Sequence, residues 1–177
     1  RTVFGGLVAG LLAQKALNVV NDAAKQLLSC NITFVGPVQE GQAKLTAEVL
    51  RQGKSVTTLE VRLWQADAVQ SILIASFGAQ RESRIHVQNL PQVPHYPQPE
   101  QLDKTAYIEG LMPQCLQQFE LCWAEGSYPM AGSKLPDFGG WSRVIADLKK
   151  NPVNKFADIL SLIDLLPPRF FTNFKNK

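Results

Sequence analysis

Asp164 is the acid in the least expected setting. It stands in Ser-Leu-Ile-Asp-Leu-Leu, in the last turn of a helix predicted over residues 152–166, where the backbone dipole disfavours a negative charge. A carboxylate there has three readings: an exposed polar-face residue, one member of a tertiary pair, or an acid, base or water-orienting group. Gly5-Gly6 is the second candidate. Successive glycines at a helix start let a ligand approach the backbone, and the unpaired N–H groups form a partial positive pole suited to a carbonyl oxygen or an anion. The commoner use of such a pair is a tight turn into the helix. Residue types alone leave the readings of both candidates open.

Several chemistries are excluded by what the chain lacks. It has no G-x-S-x-G elbow, no G-x-x-x-x-G-K-[ST] loop, no G-x-G-x-x-G and no H-E-x-x-H. The only histidines, His86 and His95, sit in or beside a Pro-rich stretch, a poor place to lock an imidazole, so both are expected at the surface. Cys30, Cys115 and Cys122 are odd in number and lack C-x-x-C spacing, which speaks against a disulfide framework and a zinc site and for a reducing cytoplasm. No metal is expected. Trp64, Trp123 and Trp141 are read as core or interface residues, and Lys149-Lys150 as a solvated turn that could also meet a phosphate.

These candidates need a frame to hold them, and the composition allows one. The chain has 177 residues, 45% hydrophobic and 19% charged, with 12 Gly and 11 Pro, an ordinary globular profile long enough for one large domain or two small ones. A net charge of +3 without a Lys/Arg block argues against nucleic acid as the main partner. The apolar run over residues 3–12 contains three glycines and is too short for a membrane span.

The periodicity then assigns the elements. Residues 7–20 are apolar on almost every side, which predicts a buried central helix. Leu28, Cys30, Ile32 and Phe34 alternate with more polar neighbours up to the turn pair Gly36-Pro37. Leu45, Ala47 and Val49 alternate next, then Leu59, Val61 and Leu63 after Gln52-Gly53, and an apolar strand over 69–77 follows Asp67. Such closely spaced strands pair antiparallel, so residues 1–80 read as one helix and a curled meander. Pro91, Pro94, Pro97 and Pro99 then mark residues 81–112 as an extended linker. Strands are predicted over 117–123 and 139–145, and Asn151-Pro152 starts a helix carrying Phe156, Ile159, Leu160, Ile163 and Leu166, stopped by Pro167-Pro168.

Four ordered motifs carry a family resemblance. Arg-Thr-Val-Phe-Gly-Gly-Leu-Val-Ala-Gly (1–10), Ile-Thr-Phe-Val-Gly-Pro-Val (32–38), Glu-Val-Leu-Arg-Gln-Gly-Lys-Ser-Val (48–56) and Ala-Ser-Phe-Gly-Ala (75–79) together resemble the bacterial double-hotdog acyl-CoA thioesterases of type II. The resemblance covers nearly the whole chain. It implies an α+β fold in which two hotdogs, each a long helix wrapped by a curved antiparallel sheet, are joined in one chain. Residues 1–80 would be the first, without its opening strand, residues 81–112 the linker, and residues 113–177 the first part of the second.

The resemblance also implies roles. Gly5 and Gly6 open the first hotdog helix and would bind substrate. Asp164 matches the catalytic aspartate, in a pattern like Asp-Leu-Leu-Pro. Its family partners, a Thr or Ser and a Gln, belong to strands expected beyond Lys177. The implied reaction is hydrolysis of an acyl-CoA by Asp-assisted water attack in the cytoplasm, without cofactor or metal, by double-hotdog units that can pair further. The alternatives are a non-catalytic acyl-CoA or lipid-binding hotdog, a hydratase or dehydratase disfavoured by the placing of the histidines, and a purely structural subunit.

Overall fold

A computed structural model describes residues 2–85, 87, 89, 92–128, 138–146, 159, 160, 162, 163 and 165. The helix α1 (Gly5–Val20) begins at the glycine pair itself. It ends at Asn21, whose backbone is left-handed (φ 41°) and whose N–H returns to the Leu17 carbonyl at 2.9 Å. Asparagine is one of the few residues that accept this conformation.

Four strands follow: β1 (Lys25–Phe34), β2 (Lys44–Gln52), β3 (Val56–Gln65) and β4 (Ala68–Ala79). All pairs are antiparallel and the order is β1-β4-β3-β2, so the meander is completed by β1 on the far side of β4. Ala66 and Asp67, both at positive φ, make the tight reversal between β3 and β4.

The core lies between α1 and one face of this sheet. Val8, Leu12 and Ala16, one turn apart, meet Leu59, Val61 and Leu63 of β3 and Leu73, Ala75 and Phe77 of β4, all essentially buried. The inward rows of β3 and β4 are those the alternation predicts. Burial of α1 on every side does not hold, because Leu7 and Leu11 are 51% and 45% exposed. A single sheet face covers one side of a helix and leaves that pair open.

β1 keeps Cys30 and Ile32 on the predicted face and loses Leu28 from it. The pairing with β4 skips Leu28, between Leu27↔Phe77 and Ser29↔Ser76. This bulge moves Leu27 inward beside Cys30 and Ile32 and leaves Leu28 60% exposed. A Cβ at Gly78 would lie 2.6 Å from Leu28 Cδ1, so the bulged side chain uses the space that glycine leaves. Phe34, at the strand's end, is also half exposed. Val49 keeps its predicted face, opposite the buried Leu59, yet is 43% exposed, because β2 is the edge strand and its register skips Leu50 immediately afterwards.

The chain divides into two compact units, residues 1–87 with 152–163 and residues 88–151 with 164–177. In the second, 3₁₀ turns at Pro99–Gln101 and Gln114–Gln118 precede a two-stranded antiparallel sheet, β5 (Phe119–Gly126) and β6 (Phe138–Val144). The Pro-rich stretch is fastened to this sheet. Tyr96 Oη donates to Glu125 Oε2 at 2.7 Å, Trp141 Nε1 to the Pro97 carbonyl at 2.9 Å, and Thr105 N–H to the Leu121 carbonyl at 2.8 Å. Glycines permit the close approach: a Cβ at Gly139 would sit 2.0 Å from Tyr96 Oη, and one at Gly140 2.2 Å from the Cys122 carbonyl oxygen. Glu120 of β5 takes Lys104 on one side and Arg143 of β6 on the other. Hydrogen bonds from these two cations hold its carboxyl below the usual carboxylate range.

The predicted helix over 152–166 lies mostly outside the described residues, as do Lys149-Lys150, Asn151-Pro152, Phe156 and Leu166. The described residues 159, 160, 162 and 163 are helical, with Ile159 and Ile163 51% and 67% exposed.

Candidate functional site

The start of α1 is built by the segment that crosses the end of the sheet from β1 to β2. Val3 N–H donates to the Val38 carbonyl at 2.7 Å, Thr2 pairs with Gln39, and Val38 is buried in the core. Gln39 is itself clasped by Gln65 at the end of β3. The Gln65 carboxamide accepts Gln39 N–H at 2.8 Å and donates to the Gln39 carbonyl at 3.0 Å and the Gln42 carbonyl at 3.3 Å. One glutamine therefore fixes the β1–β2 connection against which Thr2 and Val3 lie just before Gly5. Nothing in its local sequence marks it, because its partners lie more than twenty residues away.

At Gly5-Gly6 the helix begins without a side-chain cap and without an acidic residue in its first turn. Its partial positive pole is thus not neutralised by a local carboxylate. Neither glycine has positive φ, so a left-handed turn is not what requires them. Gly6 is buried and Gly5 half-buried. Leu7 and Val8 N–H groups turn back to the Phe4 carbonyl at 3.1 and 3.3 Å.

Asp164 lies outside the described residues, between the exposed Ile163 and the buried Leu165. His86 is also outside them, and His95 is exposed as expected. Among the described residues, no three His, Cys, Asp or Glu side chains come together as a metal would need, and no helix is long and apolar enough to cross a membrane. Cys30, Cys115 and Cys122 are free thiols.

Farther along α1, Ala13, Ala16 and Leu17 face Cys30 and Phe77 across a narrow crevice that Leu160 also lines. The crevice is apolar and too narrow to admit a water molecule. Each tryptophan is partly buried or tied: Trp64 Nε1 donates to Thr46 Oγ1 at 2.8 Å, Trp141 holds Pro97, and Trp123 stacks with Tyr128 and Phe138.

Residues 1–78 match the family model of the acyl-CoA thioesterase N-terminal domain. No curated protein matches the chain. Among solved structures, a conserved protein of unknown function with a hot dog fold from Alicyclobacillus acidocaldarius is similar at TM-score 0.76 and 21% identity, over 97% of this chain and 61% of that one. The tesB protein of Mycobacterium avium subs paratuberculosis is similar at TM-score 0.67 and 19% identity, over 93% and 58%. An acyl-CoA thioesterase II, TesB2, of Mycobacterium marinum is similar at TM-score 0.64 and 20% identity, over 93% and 61%. At such identities the likeness establishes the fold. The chain spans about three fifths of the length of these relatives.

Proposed function

Residues 1–78 are an acyl-CoA thioesterase N-terminal domain of the hotdog fold, and from that premise we propose that the protein hydrolyses an acyl-CoA to the free acid and coenzyme A in the cytoplasm. One observation carries the proposal: the family match ends where the structural unit of α1 and its four strands ends, at β4. The match therefore covers a whole folded element set. Residues 81–112 are read as the connection and residues 113–177 as the first part of a second hotdog.

In this reaction Asp164, ionised, orients a water and takes its proton as the oxygen attacks the thioester carbonyl. The C–S bond then breaks, and the proton passes to the departing thiolate. The uncapped start of α1 at Gly5 and Gly6 offers backbone N–H groups to a carbonyl oxygen of the substrate, which the positive pole favours.

The alternative is an acyl-CoA or lipid-binding hotdog without turnover. Thiol release from a panel of acyl-CoA chain lengths separates the two. Turnover supports the thioesterase, binding without turnover supports the alternative, and neither binding nor turnover rejects both.

A further inference from the structure

Two polar side-chain atoms of the second unit, Thr105 Oγ1 and Trp123 Nε1, are buried without a hydrogen-bond partner among the described residues. The pairing places them together. Lys104 stands opposite Cys122 and the Thr105 amide bonds to Leu121, so Thr105, Leu121 and Trp123 share one face, with Thr105 diagonal to Trp123. Diagonal neighbours are within reach of an aromatic side chain.

Leaving each such atom unpaired costs about 1–3 kcal/mol, which local rotation normally avoids. Trp123 is not free to rotate, because its ring stacks on Tyr128 at 5.1 Å and on Phe138 at 5.5 Å. An indole N–H can only donate, whereas a hydroxyl both donates and accepts. A single oxygen acceptor between them would satisfy both. A charged acceptor would be expensive in this aromatic setting, so a neutral oxygen fits better. Tyr128, the ring lying on the indole, is 46% exposed.

We propose that Thr105 and Trp123 form a receptor for a single neutral oxygen. It is supplied either by an amide carbonyl of a bound acyl-CoA, which rests on the function proposed above, or by an internal water. Thr105→Val tests this with almost no change of shape, and Trp123→Phe removes the other donor.

If the substrate supplies the oxygen, each variant raises the Kd for an acyl-CoA about threefold to tenfold, the worth of one hydrogen bond. The double variant then loses less than the product of the two, because both side chains hold the same atom. If a water supplies it, Thr105→Val lowers the Tm of the ligand-free protein and leaves Kd unchanged. If Thr105→Val raises Tm and leaves Kd unchanged, the hydroxyl was merely unpaired and the receptor is refuted. Absence of acyl-CoA binding by the unaltered chain removes the functional reading and the substrate source together, and the Tm measurement still decides between a water and no acceptor.

Discussion

The Lys25 ammonium lies 3.0 Å from the hydroxyl of Thr57, although β4 runs between their two strands. Its side chain is only 13% exposed, and Asp22, just beyond the C-terminal end of α1, stands 3.6 Å from the same nitrogen. Thr57, 4% exposed, has its hydroxyl turned to this cation. One lysine thus ties the end of the helix, the start of β1 and the first turn of β3 into a single clasp, and its loss would leave a buried hydroxyl unpaired.

Lys25→Met is accordingly expected to destabilise the first unit by about 1–3 kcal/mol, since hydrogen bonds to charged groups are worth more than neutral ones. Urea unfolding followed at Trp64 measures it. Thr57→Val should cost less in the Lys25→Met background than in the unaltered chain, as expected for groups in direct contact.

Ser71 predicts the opposite sign. It stands between Leu63 and Phe34 in the sheet, is fully buried, and its Oγ has no partner among the described residues. Ser71→Ala should raise stability by about 1 kcal/mol, because an unsatisfied hydroxyl is removed with little change of volume. A fall in Tm would show that the hydroxyl does bond a group in solution.

Acid should loosen the second unit only after ordinary carboxylates have begun to titrate. Lys104 and Arg143 hold Glu120 below its usual value of 4.5. A depressed folded value means that the stabilisation is fully present above the unfolded value and is lost as pH falls through the lower, folded one. Carboxyl NMR of Glu120 should show this midpoint below 4.5, and Arg143→Met should move it upward. The ion pairs are exposed, so added salt should weaken the effect.

Gly139→Ala should drive Tyr96 away from Glu125, since the new Cβ would lie 2.0 Å from the Tyr96 oxygen. The expected readout is faster amide exchange at Thr105, the next fastening of the strap, with the first unit unaffected. Gly140→Ala should be worse, because its clash is with the backbone carbonyl of Cys122.

Asp164→Asn should lower kcat for acyl-CoA hydrolysis at least about a hundredfold with little change in Tm, the scale expected for loss of a general base. Near-normal turnover would exclude Asp164 from the chemistry.

The strands were legible because inward residues recur every second position, and Leu59, Val61 and Leu63 needed nothing else. The bulges at Leu28 and Leu50 were hidden, since an extra residue is a property of two strands in register and alternation is read along one. The prolines correctly excluded regular helix and central strand, yet said nothing of where the segment would lie. Its fastenings at Tyr96, Pro97 and Thr105 depend on residues far away in sequence. Gln65 was missed for the same reason. The glycine pair was visible from the start, and the structure adds that the helix there lacks a cap and that neither glycine serves a left-handed turn. Asp164 rests on the family resemblance and on its odd place in the helix.

The pairing of β1 with β4 also sets an order of assembly. β2, β3 and β4 are joined by short turns and can zip locally, whereas Lys25 must wait for Ala79 to be made and to return to it. During synthesis α1 and β1 therefore emerge well before the surface they bury against. Val8 and Leu12 stay uncovered until β3 and β4 have been made, and the edge of β4 stays unpaired until β1 returns to it, so the growing chain exposes apolar surface for as long as the meander is incomplete.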